Sequence, residues 1–340
     1  MGAMAFALCG CHNPVFDDEG DCEVTYGLRF VYDMNLDWAD AFPTLVNGLE
    51  LYAFDSYGVF VKEYSLTEAE ISQPGYTMTL DLQPGDYTLV AWASLETGIN
   101  LDEAFSIPAM EPGVSKIEDL SCTLKTKSDS QYNLFSDLRL PFLYHGNLEI
   151  ELPDSRDGRH YDYTMYLTKD TNHIRAMVYK VNGDITTDDV DVRVEAENLQ
   201  MAWDNSLTST DMVTYLPWDI QNSVITSENS NGEEGALYTG ISADLMLSRL
   251  TDTLPHEVYL YITNKESGEN IFKVPVTQYA LMAKSYYETA YNKTMTDGEF
   301  LDRQSEYFMT FFVDENINLL YTVIQILSWR LVIHNYDVNI

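Results

Sequence analysis

From residue 25 onward apolar and polar positions alternate. Tyr26, Leu28, Phe30 and Tyr32 are separated by Gly27, Arg29 and Val31, the two-residue period of a half-buried strand. Residues 49–55 and 58–66 form a further pair of such runs, joined at Asp55-Ser56-Tyr57-Gly58 by a turn of hairpin type. Residues 77–82 and 86–95 form another, with the reversal forced by Gln83-Pro84-Gly85. The texture restarts at 163–167, 174–181 and 190–196. In the last run Val190, Val192, Val194 and Ala196 face one way and Asp191, Arg193, Glu195 and Glu197 the other. A hairpin is expected over 256–263 and 270–276, and strands over 307–313 and 329–334. The polar stretch 225–234 reads as a low-complexity loop. Only at 278–291 does the spacing of Tyr279, Leu281, Met282, Ser285, Tyr286 and Thr289 predict a helix.

Short strands at intervals of about ten residues, with turn residues between them, predict an all-β antiparallel sandwich architecture with little helix. The chain has 340 residues, longer than one compact core usually reaches, so two tandem domains are expected. We place them at 22–146 and 147–340, behind a leading segment, 1–21.

Charge narrows the function. Nineteen basic residues face 54 acidic ones, a net charge of −35, and the pI is about 4.2. Such a chain is repelled by phosphate backbones and anionic lipid surfaces, which sets nucleic acid aside. Membrane attachment, if present, has to come from a lipid rather than from basic patches. The leading segment offers one. Residues 2–8 are apolar and too short to span a bilayer. They end in Leu8-Cys9-Gly10-Cys11, which resembles the lipobox of bacterial lipoproteins. That resemblance makes Cys11 the lipidation site, although no Lys or Arg precedes the apolar run. Several acyl chains, at about 0.8 kcal/mol per buried methylene, hold an acidic body at a membrane stably. Residues 12–21 follow as an acidic tether.

With Cys9 removed and Cys11 acylated, Cys22 and Cys122 remain. In an exported chain they are either one disulfide or two buried thiols. Closing a loop of about 100 residues would contribute about 4 to 5 kcal/mol in the chain-entropy model.

Catalytic signatures are missing. The sequence has no Gly-x-Ser-x-Gly elbow, phosphate loop, dinucleotide fingerprint or His-Glu-x-x-His, and its six histidines are scattered singly. Asp33-Met34-Asn35-Leu36-Asp37 copies the start of a calcium loop, but Trp38 stands where Gly is needed and Thr44 where Glu is needed. No enzyme, cofactor or metal site is therefore expected. The 24 tyrosines suit a carbohydrate-binding face as well as ordinary sandwich packing.

A series of stretches resembles one family. It runs through Asp21-Cys22, Leu28-x-Phe30-x-Tyr32-Asp33, Ala39-Asp40-Ala41-Phe42, Leu51-Tyr52-Ala53-Phe54-Asp55-x-x-Gly58 and Gly85-Asp86-Tyr87-x-x-Val90-Ala91-Trp92. It continues with Leu143-Tyr144-His145-Gly146, the run from Leu167 to Arg175, Phe300-Leu301-Asp302-Arg303-Gln304-x-Glu306-Tyr307 and Trp329-Arg330-Leu331-Val332. The order is similar to that of the FimB-type minor fimbrial anchor proteins of Bacteroides-like bacteria. The resemblance implies two Greek-key, transthyretin-like sandwiches in a surface lipoprotein of the outer membrane. It implies a protein that holds the base of a fimbrium, limits its growth, has a stalk subunit as partner and performs no catalysis. The family's acylated cysteine falls on Cys11 and its paired cysteines on Cys22 and Cys122. The competing expectation is a surface glycan-binding lipoprotein of a polysaccharide-capture system.

Overall fold

The computed structural model describes residues 24–73, 75–95, 101–154, 158–228, 234–253, 258–326 and 329–334. Strands β1 (Thr25–Val31), β2 (Gly48–Asp55), β3 (Phe60–Thr67), β4 (Met78–Thr79) and β5 (Gly85–Leu95) come first. A crossing segment carries β6 (Phe105–Ser106), β7 (Ser121–Leu124) and β8 (Phe135–Ser136), and is followed by β9 (Phe142–Leu152), β10 (His160–Tyr166) and β11 (Thr168–Lys169). Next come β12 (Asn172–Lys180), β13 (Val190–Ala196), β14 (Gln200–Ala202), β15 (Val213–Tyr215), β16 (Asp219–Glu228) and β17 (Glu234–Leu247). The chain ends with β18 (Tyr259–Asn264), β19 (Asn270–Pro275), β20 (Glu306–Val313), β21 (Leu319–Ile326) and β22 (Trp329–His334).

The all-β expectation holds, and the strands form two sandwiches. In the first, the sheet β10-β1-β4 packs on the sheet β11-β9-β5-β2-β3. In the second, β16-β17-β12-β20-β21-β22 packs on β19-β18-β13-β15-β8. A small sheet, β14-β7-β6, lies between them. The pairing is not purely antiparallel: β1 with β10, β12 with β20 and β15 with β8 run parallel.

Strand β5 shows why one apolar run reads as continuous. Leu89, Ala91 and Ala93 enter the core shared with β1, where Leu28 and Phe30 meet Leu49 and Leu51. Val90 and Trp92 face the opposite way and join the second core, together with Phe105, Leu120 and Leu124 of the crossing segment. A sheet covered on both faces needs apolar residues at both parities. The second sandwich follows the simpler rule: Val190, Val192 and Val194 of β13 meet Ile174, Ala176 and Val178 of β12 across its interior.

The expected division at 146/147 falls inside β9. Beyond it, β10 returns to pair with β1 along its whole length, from Thr25↔His160 to Val31↔Tyr166. Gly146, the last residue of the first expected domain, serves close packing inside the strand. A Cβ at this position would lie 2.6 Å from Leu167 Cδ2 and 2.9 Å from the Tyr166 carbonyl oxygen. The halves also exchange strands, since β7 pairs with β14 and β8 with β15.

The expected helix at 278–291 is two helices, Val276–Leu281 and Lys284–Tyr291. A third, Asp297–Arg303, was not anticipated, although Thr296 caps it by accepting from Glu299 N at 3.0 Å and Asp297 and Glu299 sit in its first turn. Strand β16 extends into the stretch expected to be a loop, and β21 was also missed.

Candidate functional site at the junction and on the open edge

The stretches that looked like family marks turn out to be fold determinants. Asp40 Oδ1 accepts from Tyr32 N and Phe42 N, each at 3.0 Å, and closes the turn after β1. Asp55 Oδ1 accepts from Tyr57 N and Val59 N at 2.9 Å, and Gly58 supplies the left-handed backbone, φ +68°, that the hairpin needs. The residues that imitate the start of a calcium loop are contacted by Arg303. Arg303 donates from Nη1 to the carbonyl oxygens of Asp33 at 2.9 Å and Asn35 at 3.2 Å, and its guanidinium lies 3.4 Å from the Trp38 ring centroid. Lys293 sits 3.9 Å from the same ring, so the indole is approached by two cations.

The densest polar cluster joins the two sandwiches where β11 passes into β12. Asp170 is fully buried. Its backbone N–H donates to the Leu143 carbonyl at 2.7 Å, while Thr171 Oγ1 accepts from Leu143 N at 3.1 Å. Asn205 Nδ2 donates to Asp170 Oδ1 at 2.9 Å, and Arg249 Nη2 to Asp302 Oδ1 at 2.8 Å. Burial pushes the Asp170 carboxyl up to about 7, against the pull of Arg249 and Asn205. Nearby, burial pulls His145 down to about 4. It stays a neutral donor from Nε2 to the Trp203 carbonyl at 2.8 Å and packs against Trp92.

Lys169 donates to Ser305 Oγ at 3.0 Å and lies 3.6 Å from the Phe142 ring centroid. On the outer face of the six-stranded sheet, His173 bonds Glu306 Oε2 at 2.8 Å through Nδ1 and Asp244 Oδ1 at 2.7 Å through Nε2. Arg175 grips Asp244 with two bonds, 2.7 and 3.0 Å. Burial opposes charge on His173, but the two carboxylates outweigh it and hold its pKa up at about 9. Chemically this arrangement is a lock of paired charges with one loose point: Arg249 Nε stands 3.9 Å from Asp170 Oδ1, and Asp170 Oδ2 is buried without a hydrogen-bond partner.

Cys11 and Cys22 lie outside the described residues. Cys122 is a buried free thiol on β7 within the second core, its pKa raised by burial, and no disulfide occurs among the described residues. Among these residues no helix is long and apolar enough to cross a membrane.

Unlike the junction, the free edge of β16 is open. Its ten residues lie at one border of the six-stranded sheet and contain no Lys, Arg or Pro. Ile220 and Val224 (58% exposed) are exposed along it, as are Trp218 just before it and Leu237 on the neighbouring β17. Two other borders are guarded: β3 carries Lys62 and is capped at Phe60 by residues 113–115, and β19 carries Lys273 and ends in Pro275.

Two β-sandwiches joined at a buried polar junction, with the long strand β16 at a sheet border, are the class of fold that the comparisons with known proteins match. Residues 18–335 match the model of the fimbrillin-A associated anchor proteins Mfa1 and Mfa2, and the chain belongs to that family. It is 20% identical over 338 residues to the minor fimbrium anchoring subunit Mfa2 of Porphyromonas gingivalis, covering 98% of this chain and 92% of the relative. Among solved structures it is similar to a candidate adhesin of Bacteroides thetaiotaomicron, with TM-score 0.74, 30% identity and coverage of 91% and 97% of the two chains. It is also similar to a candidate polysaccharide-binding protein of the same organism, with TM-score 0.74, 25% identity and coverage of 93% and 100%.

Proposed function

We propose that this chain is a lipoprotein, held at the outer membrane through an acylated Cys11, that receives the first stalk subunit of a fimbrium and ends the filament at its base. The family match over residues 18–335 carries this reading. The open edge of β16 supports a place for the partner, because an unpaired strand is a template for a further strand, and exposed Ile220 and Val224 offer side-chain contacts beside it. A chain tethered by its own N-terminus cannot lend that end to a neighbour. It is therefore a terminus of the polymer rather than a repeat.

The test compares cells carrying the wild-type protein with cells carrying Cys11→Ala, with export of the variant verified, and scores fimbrial polymer on the cells and in the medium. Shedding of polymer into the medium is the expected result. Unchanged attachment of both protein and fimbriae would reject acylation at Cys11. If stalk subunits polymerise in vitro but form no complex with the purified chain, the anchor role fails.

A further inference from the structure

We infer that the outer face of the second sandwich carries a binding groove for a neutral oligosaccharide, separate from the β16 edge and independent of the anchor reading. The groove measures about 560 Å³ and lies on the side of β13, β15 and β18 turned away from the core. Its floor is the polar parity of β13, Asp191, Arg193 and Glu195, whose alternate neighbours Val190, Val192 and Val194 are buried.

Both walls are built rather than loose. The first is the loop before β8. Lys127 and Phe135 exchange backbone hydrogen bonds of 2.8 and 2.9 Å across its base, Asp129 Oδ1 accepts from Gln131 N and Tyr132 N, and Leu134 O receives Thr214 N from β15. The second wall is the turn after β18, where Asn264 Oδ1 accepts from Glu266 N and Ser267 N and Gly268 takes the left-handed conformation.

The floor is rigid too. Arg193 donates to Glu195 Oε1 at 3.0 Å, Thr263 Oγ1 at 2.6 Å and Asn270 Oδ1 at 3.3 Å, and its guanidinium lies 4.4 Å from the Tyr261 ring centroid. Lys265 Nζ lies 3.3 Å from Asp191 Oδ1 and donates to the Thr187 carbonyl. Preorganised polar groups lose little freedom when a ligand arrives.

Charge decides the ligand class. Both cations in the groove are already paired with its carboxylates, and the chain carries −35 overall, so an anionic ligand finds no uncompensated cation and a repulsive field. What remains is a bed of planar donors and acceptors, suited to adjacent sugar hydroxyls, beside the half-buried ring of Tyr132, suited to a sugar's apolar face.

The full chain and its Tyr132→Ala and Asp191→Asn variants are screened on an array of neutral glycans and titrated calorimetrically with the hits, with melting temperatures measured in parallel. Saturable binding by wild type, weakened by about tenfold or more in both variants at unchanged melting temperature, is expected. Tyr132→Phe should retain binding. No neutral glycan bound, equal affinity in wild type and variants, or binding confined to heparin or polylysine would each overturn the inference. Stalk-subunit binding, measured on the same variants, should be unaffected, so that failure here is distinguishable from failure of the anchor role.

Discussion

The sheet β11-β9-β5-β2-β3 and the sheet β16-β17-β12-β20-β21-β22 bury themselves in opposite ways. The first is covered on both faces, by β1, β4 and β10 on one side and by the crossing segment on the other. The second has one face in the core, and its outer face is divided. Near the junction it carries His173, Arg175, Asp244 and Glu306. At the far end it carries Tyr179, Phe312, Tyr321 and Tyr238, which cover one another, with Phe312 4.5 Å from Tyr321 and 5.9 Å from Tyr179. Gly240 makes room for this packing, since a Cβ there would lie 2.3 Å from Tyr179 Cδ1. The contrast assigns roles. A sheet packed on both faces at its centre gives rigidity, whereas the second sandwich leaves a face, a groove and an edge accessible.

The largest expected effect tests the doubly covered sheet. Trp92 is fully buried between the first sandwich and the crossing segment, so Trp92→Ala should cost about 3 to 5 kcal/mol of stability in urea denaturation. A cost below about 1 kcal/mol would mean that this second face is not part of the folded core. Next comes the lock. Arg249→Ala removes the counter-charge from Asp302 and from nearby buried Asp170, and should cost about 3 kcal/mol by the same measurement. A near-neutral result would show that the sandwiches are held by apolar packing alone.

Titration sharpens the same point. The folded-state pKa of Asp170, about 7, is raised above its ordinary 3.8, so its contribution is fully present below 3.8 and is lost as pH rises through 7. Relative to wild type, Asp170→Asn should therefore gain stability between pH 4 and 7. The variant is needed because His145, depressed to about 4, contributes in the opposite direction: its share is present above 6.5 and lost as pH falls through 4. His173, held at about 9, contributes fully below 6.5 and loses that share as pH rises through 9. His173→Gln should flatten the alkaline limb of the stability profile. A variant profile parallel to wild type in either window would place the titration elsewhere.

How much of this was legible in the sequence follows from the range of each interaction. The alternation of Val190 to Ala196 and the turns at Asp40 and Asp55 are local, and their bonds span no more than eight positions. The lock is not local. Asn205 meets Asp170 across 35 residues and Arg249 meets Asp302 across 53, and neither Asn205 nor Arg249 stands in a spacing that marks it. The boundary at 146/147 failed for a related reason: the contacts that make Gly146 part of a continuous strand come from Tyr166 and Leu167, twenty residues further on. Parallel pairing of β1 with β10 depends on a return of the chain that no local pattern encodes.

The smallest expected effect on stability bears most on function. Val224 is exposed on the free edge of β16, so Val224→Lys should change unfolding free energy by no more than about 0.5 kcal/mol, which denaturation can verify. The same substitution places a lysine in the middle of an edge that has no Lys or Arg, the device by which sheet borders are closed to further strands. Stalk binding should therefore fall although the fold is intact, whereas Lys62→Glu on the already guarded edge of β3 should leave binding unchanged. Equal binding by all three proteins would remove β16 as the docking edge while leaving the anchor role to another surface. Loss of binding in both variants would show that the edge of β3 takes part in docking as well, since the two substitutions shift the net charge in opposite directions.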